Sequence, residues 1–122
     1  MKGAAGWLRL ETLPTIPRVE PPDGATQVLR DAPVVLQLST PVDLASLSSE
    51  TLRVQDPEGP VPGRFKVSPD LQVVIWGAER PFRAGAVHFV VVRGLRDVLG
   101  RPVPPHCTRF VPCDLARDDL RF

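Results

Sequence analysis

Fifteen prolines and nine glycines are spread along these 122 residues, about a fifth of the chain. Proline lacks a backbone N–H, and glycine is unfavourable in a helix interior. A helical bundle is therefore excluded, and short extended segments joined by turns remain. Hydrophobic residues form 43% of the sequence and charged residues 24%. At this length one domain can fill a core without metal or disulfide staples, and disorder is not expected. The 15 basic and 14 acidic residues leave a formal net charge of +1. A nucleic-acid binder would need a basic surplus on one face, so none is expected. No apolar run is long enough to span a membrane. Arginine outnumbers lysine thirteen to two, and asparagine and tyrosine are absent. That bias is what GC-rich codons produce. It points to a GC-rich bacterial source rather than to a function.

Turn signals divide the chain. Residues 1–17 form an N-terminal arm or extra edge strand, with Trp7, Leu8 and Leu10 ahead of Pro14 and Pro17. Pro21-Pro22-Asp23-Gly24 is a turn, with proline fixing φ and glycine supplying φ > 0. Val34, Leu36 and Leu38 alternate with Val35, Gln37 and Ser39, the pattern of a half-buried strand. Asp43 is placed to cap a helical turn over 44–48, with Leu44 and Leu47 facing inwards. Leu52 to Gln55 and Val61 to Ser68 read as a hairpin around Asp56-Pro57-Glu58-Gly59. Val73 to Trp76 is apolar on both faces, and His88 to Arg93 alternates again. Asp97 to Pro102 is a loop, Thr108 to Val111 closes the set, and 114–122 is a polar tail. About seven short strands with turns at regular spacing predict an all-β, antiparallel β-sandwich over residues 18–113.

Candidate chemistry is sparse. Cys107 and Cys113 lie six apart, and along a strand that is roughly 20 Å, beyond disulfide reach. Two free thiols are expected, which suits a reducing compartment. With His106 and His88 the cysteines match no zinc spacing, so no metal or other cofactor is expected. His106 and Cys107 are neighbours on a strand and point to opposite faces, against a Cys–His dyad. Ser39, Ser46, Ser48 and Ser49 lack a triad pattern, and Asp118-Asp119 lies in the tail. His88 reads as a buried imidazole bonded to a backbone carbonyl. No catalytic residue is assigned, and an enzyme is not expected.

The stretch from Arg18 to Cys113 resembles the bacterial Ig-like domain of the SbsA type, first described in S-layer proteins. Three ordered motifs carry the resemblance. They are Pro22-Asp23-Gly24-Ala25-Thr26-Gln27-Val28, Leu38-Ser39-Thr40-Pro41-Val42-Asp43, and the series Phe82, Gly85, His88, Val90, Val92, Gly94, Asp97, Gly100 and Pro102. A closing strand follows with Thr108 and Phe110. His88 and Thr108 stand where the family carries aromatic residues. The resemblance implies an Ig-like sandwich, with Val34, Leu36, Leu38, Val54, Phe65, Val90, Val92 and Phe110 as its core. It also implies cell-surface or secreted relatives. The N-terminus shows no secretory signal pattern, so a full-length chain would be expected in the cytoplasm.

Function is then expected to be contact. A non-catalytic Ig-like interaction or structural module, an accessory subunit docking on a larger bacterial assembly, fits best. Its partner-binding residues would be Trp7, Leu8, Leu10, Phe89, Val91, Leu120 and Phe122. Phe89 and Val91 would face outwards and form one patch with residues of the 73–76 strand, if the two strands are neighbours. A second reading is a cell-surface or adhesin-type spacer. A third is a carbohydrate- or calcium-binding sandwich, using Trp76 for sugar stacking or Asp23, Asp56 and Asp97 for calcium. A small-molecule ligand is otherwise not expected.

Overall fold

The computed structural model describes residues 13–115. Nine strands occur among them: β1 (Arg18–Glu20), β2 (Ala25–Val28), β3 (Val34–Gln37), β4 (Leu52–Asp56), β5 (Gly59–Pro60), β6 (Gly63–Val67), β7 (Val73–Ala78), β8 (His88–Val92) and β9 (His106–Pro112). They form a four-stranded sheet, β1-β3-β7-β6, and a five-stranded sheet, β2-β9-β8-β4-β5. The all-β sandwich is as expected. The strands that the sequence pattern does not signal are short. β1, β2 and β5 have only two to four residues, too few for alternation to show.

One pairing departs from an all-antiparallel sandwich. β2 runs parallel to β9, with Ala25 beside Phe110 and Val28 beside Pro112. The turn before β2 causes this. Asp23 Oδ1 accepts the Arg109 N–H at 3.0 Å, and the Gly24 N–H donates to the Arg109 carbonyl at 2.8 Å. Gly24 has φ +85° there, and Gly100 has φ +80° in the 97–102 loop, as both turns require.

The expected hairpin of 52–55 with 61–68 is corrected. β4 pairs with β5, through Gln55 opposite Pro60 and Asp56 opposite Gly59. The Val61 N–H still donates to the Val54 carbonyl, but the Pro62 carbonyl accepts from the Glu79 N–H in the other sheet. Pro60 and Pro62 offer no N–H to lengthen the ladder with β4. The chain therefore crosses between sheets, and β6 pairs with β7 instead.

The inner faces meet in one core. Val34, Leu36, Leu38, Val54, Val90, Val92 and Phe110 are buried as expected, while Phe65, on the edge strand β6, is half-buried. Val74 and Trp76 are the inward pair of β7, which turns Val73 and Ile75 outwards. Asp43 does cap its turn, with Oδ1 accepting the Ala45 N–H. The turn is a 3-10 segment of three residues, Leu44–Ser46. Leu47 packs on the core, but Leu44 is 53% exposed, against expectation. Leu47 is already extended (φ −89°, ψ 116°), so the two side chains do not share a helical face.

Asp97 organises the 97–102 loop. Its side chain is 1% exposed. Oδ1 accepts the Leu99 and Arg101 N–H groups, and Oδ2 accepts from the Arg101 guanidinium and the Thr40 hydroxyl. Burial opposes ionisation of this carboxyl. The Arg101 N–H, the Arg101 guanidinium and its charge, and the Thr40 hydroxyl outweigh that effect and hold it below the usual carboxylate value.

Candidate functional site

At one end of the sandwich three loops and the start of β8 enclose an open cavity of about 430 Å³. Arg30 follows β2, Pro60 to Pro62 make the crossing between sheets, and Arg80 to Arg83 join β7 to β8. Two hydrogen bonds lock the mouth. The Phe82 N–H donates to the Arg30 carbonyl at 2.8 Å, and Arg30 Nε donates to the Phe82 carbonyl at 2.8 Å. Arg83 reaches Asp56 at 3.8 Å and also pairs with Glu58, on the turn between β4 and β5.

Phe82 is the hub beneath the cavity. Its ring lies 6.1 Å from Trp76, stacked, and 5.0 and 5.2 Å from His88 and Phe110, edge to face. His88 in turn stacks on Phe110 at 5.2 Å. His88 is fully buried, and Nδ1 lies 2.9 Å from the Ala86 carbonyl, as expected from sequence. A carbonyl only accepts, so Nδ1 is the donor. Nε2 is buried without a hydrogen-bond partner.

The other chemical candidates are absorbed into local structure. Ser39 Oγ accepts the Thr15 N–H, Ser46 Oγ donates to the Asp43 carbonyl, and Ser48 Oγ accepts the Glu50 N–H. His106 sits opposite inward-facing Val92, and Cys107 sits opposite Val91 on the outer side, so the two do not meet. Cys107 is exposed and Cys113 half-buried, and neither is bridged. Among the described residues, no three His, Cys, Asp or Glu side chains gather to hold a metal. Asp23, Asp56 and Asp97 each accept backbone N–H bonds in separate turns. Trp76 is 2% exposed beneath Phe82, so it offers no platform to a sugar.

The expected apolar patch is also redrawn. β7 and β8 lie in different sheets, so Val73 and Ile75 do not join Phe89 and Val91. The period-two pattern gives each strand's outward set but not its sheet. Phe89 is 41% exposed and Val91 half-buried, both outside the five-stranded sheet. Gln55 and Arg109 flank Phe89, and Arg53 and Cys107 flank Val91. Trp7, Leu8, Leu10, Leu120 and Phe122, the remaining expected contact residues, lie outside the described residues, as does Asp118-Asp119. The residues that sequence reasoning missed are Arg30, Arg80, Arg83 and Glu58. The prolines around them were the available signal, read as turns alone.

Solved structures share this fold. The N-terminal part of the bacterial S-layer protein SbsC superposes with a TM-score of 0.65 over 92% of this chain, at 16% identity, and 26% of that chain is covered. An L,D-transpeptidase from Mycobacterium smegmatis gives 0.58 over 84% of this chain, at 24% identity, covering 41% of its own length. Mycobacterium tuberculosis L,D-transpeptidase 1 gives 0.56 over 83%, at 24% identity, with 40% of its chain covered. The chain thus spans less than half of each of these neighbours. No protein-family model and no curated protein sequence matches it. At these identities the likeness is one of fold: a two-sheet β-sandwich shared with part of an S-layer protein and part of the L,D-transpeptidases.

Proposed function

We propose that this chain is a non-catalytic Ig-like module of the SbsA type that makes protein contacts as an accessory subunit of a larger bacterial assembly. The observation that carries the reading is Phe89. It is a large apolar side chain, 41% exposed, on β8 at the middle of the five-stranded sheet, with Val91 beside it. An exposed aromatic with an arginine beside it, here Arg109, is common at a contact centre. Support also comes from the serines and from Asp97, which are occupied in shaping turns.

The test places a photo-crosslinking residue at position 89 in the native cell, with Lys66 on the opposite sheet as control. A discrete protein adduct from position 89 that Val91→Ser abolishes is expected. Equal adducts from both positions, or none from 89, overturn the reading. A second reading, a cell-surface spacer, is favoured by the fold shared with SbsC. An in-frame export signal upstream of the gene would support it, and its absence there would favour the accessory subunit.

A further inference from the structure

We propose that the free edge of β6 takes up an extended acidic segment of a partner protein as an added antiparallel strand. The backbone supplies the first reason. The Glu79 N–H donates to the Pro62 carbonyl and the Ser68 N–H to the Val73 carbonyl, so Arg64 and Lys66 between them turn their backbone groups to β7. Gly63, Phe65 and Val67 each point an N–H and a C=O the other way, where the sheet has no further strand. Such a row of backbone groups is what an added strand pairs with. Among the described residues β6 is also the longest edge strand, with five residues and no proline, while β1, β2 and β5 have two to four.

Packing supplies the second reason. Phe65 and Val67 pack on the core from this edge yet stay half-buried. Where the chain crosses between sheets, a cleft of about 370 Å³ lies beside Gly63, lined by Leu52, Pro60, Val61 and Pro62. Every second side chain of an added strand would lie over Phe65 and Val67 or enter this cleft, so those residues are apolar.

Charge selects the partner. Arg64 and Lys66 are exposed on the outer face, opposite Gly77 and Ile75, so neither meets an acid directly across β7. Glu79 reaches Arg64 only diagonally, at 3.9 Å, and Asp70 is held by the Ser68 hydroxyl and the Gln72 N–H. A second copy paired about Phe65 would set Arg64 against Lys66, like charge against like. An acidic residue opposite each makes two favourable cross-strand pairs instead. The inference does not rest on the Phe89 contact, which lies on the other sheet. A crosslinker at position 66 replaces the lysine and weakens this edge, so it remains a control for position 89.

The test is an NMR titration of the full chain with a short blocked peptide alternating valine and glutamate. A valine–lysine peptide, and the glutamate peptide N-methylated at its valines, run in parallel. Saturable shifts at the Gly63, Phe65 and Val67 amides are expected, with a Kd of about 1 mM or tighter. The lysine and N-methylated peptides should each bind at least about tenfold more weakly. Lys66→Glu, an exposed substitution, should weaken the glutamate peptide about fivefold or more. A lysine peptide that binds equally overturns the acidic partner, and an N-methylated peptide that does so overturns the added strand. An indifferent Lys66→Glu, an absence of saturation, or shifts confined to Phe89 and Val91 overturn the proposal as well. Shifts at the three amides on raising the protein concentration alone would put a second copy on the edge and overturn it too.

Discussion

The indole of Trp76 occupies the space that a Cβ on Gly63 would need. Gly63 pairs with Ala78 and Phe65 with Trp76, so the indole leans along β6 over the bare backbone. Trp76 is 2% exposed and stacked against Phe82, so it has little room to retreat. Gly63→Ala should therefore cost about 1–3 kcal/mol by overpacking. Urea denaturation followed by tryptophan fluorescence measures it. A loss below about 0.5 kcal/mol would mean that the indole can move aside.

Phe82 should be among the most costly residues to truncate. It joins Trp76, His88 and Phe110 and fixes the Arg30 loop through its backbone. Phe82→Ala should cost about 3–5 kcal/mol, and Phe82→Leu markedly less. Thermal melts of the two variants provide the comparison.

Asp97 links stability to pH. Its carboxyl is held below the ordinary value, so the folded state favours the ionised form. That contribution is complete above the unfolded value of about 3.9 and is lost as pH falls through the lower folded value. Asp97→Asn should cost about 2–4 kcal/mol at neutral pH, since it removes the buried carboxylate charge that the Arg101 guanidinium and the loop N–H groups are arranged around. Its stability should also fall less steeply on acidification than that of the parent chain. Parallel slopes would contradict the assignment.

The thiols should act separately. Cys107 is exposed on β9, and Cys113 follows the end of the same strand. Oxidation should give linked dimers through Cys107 and no internal bridge, since roughly 20 Å of strand lies between the two. Non-reducing electrophoresis should show the dimer vanish in Cys107→Ser and persist in Cys113→Ser.

Much of this fold was legible because alternation is local. Val34, Leu36 and Leu38, then His88, Val90 and Val92, each declare an inward face within five residues. Asp43 and Asp97 were readable as turn residues for the same reason. Sheet membership was not legible, because it turns on where the chain crosses the core. Val61 bonds to one sheet and Pro62 to the other, a single-residue step that no period records. The Arg30–Phe82 cavity was hidden too. Its locking residues are 52 apart, and arginines are common enough in this composition to be discounted.

The parallel β2–β9 pair has a mechanical consequence. The chain arrives beside Ser39, where Thr15 bonds to it, and departs beside Arg30, where Leu115 bonds to it. Entry and exit thus lie at opposite poles of the sandwich. Tension along the polypeptide would drag β2 towards one pole and β9 towards the other, so their shared bonds bear the load together instead of opening one by one.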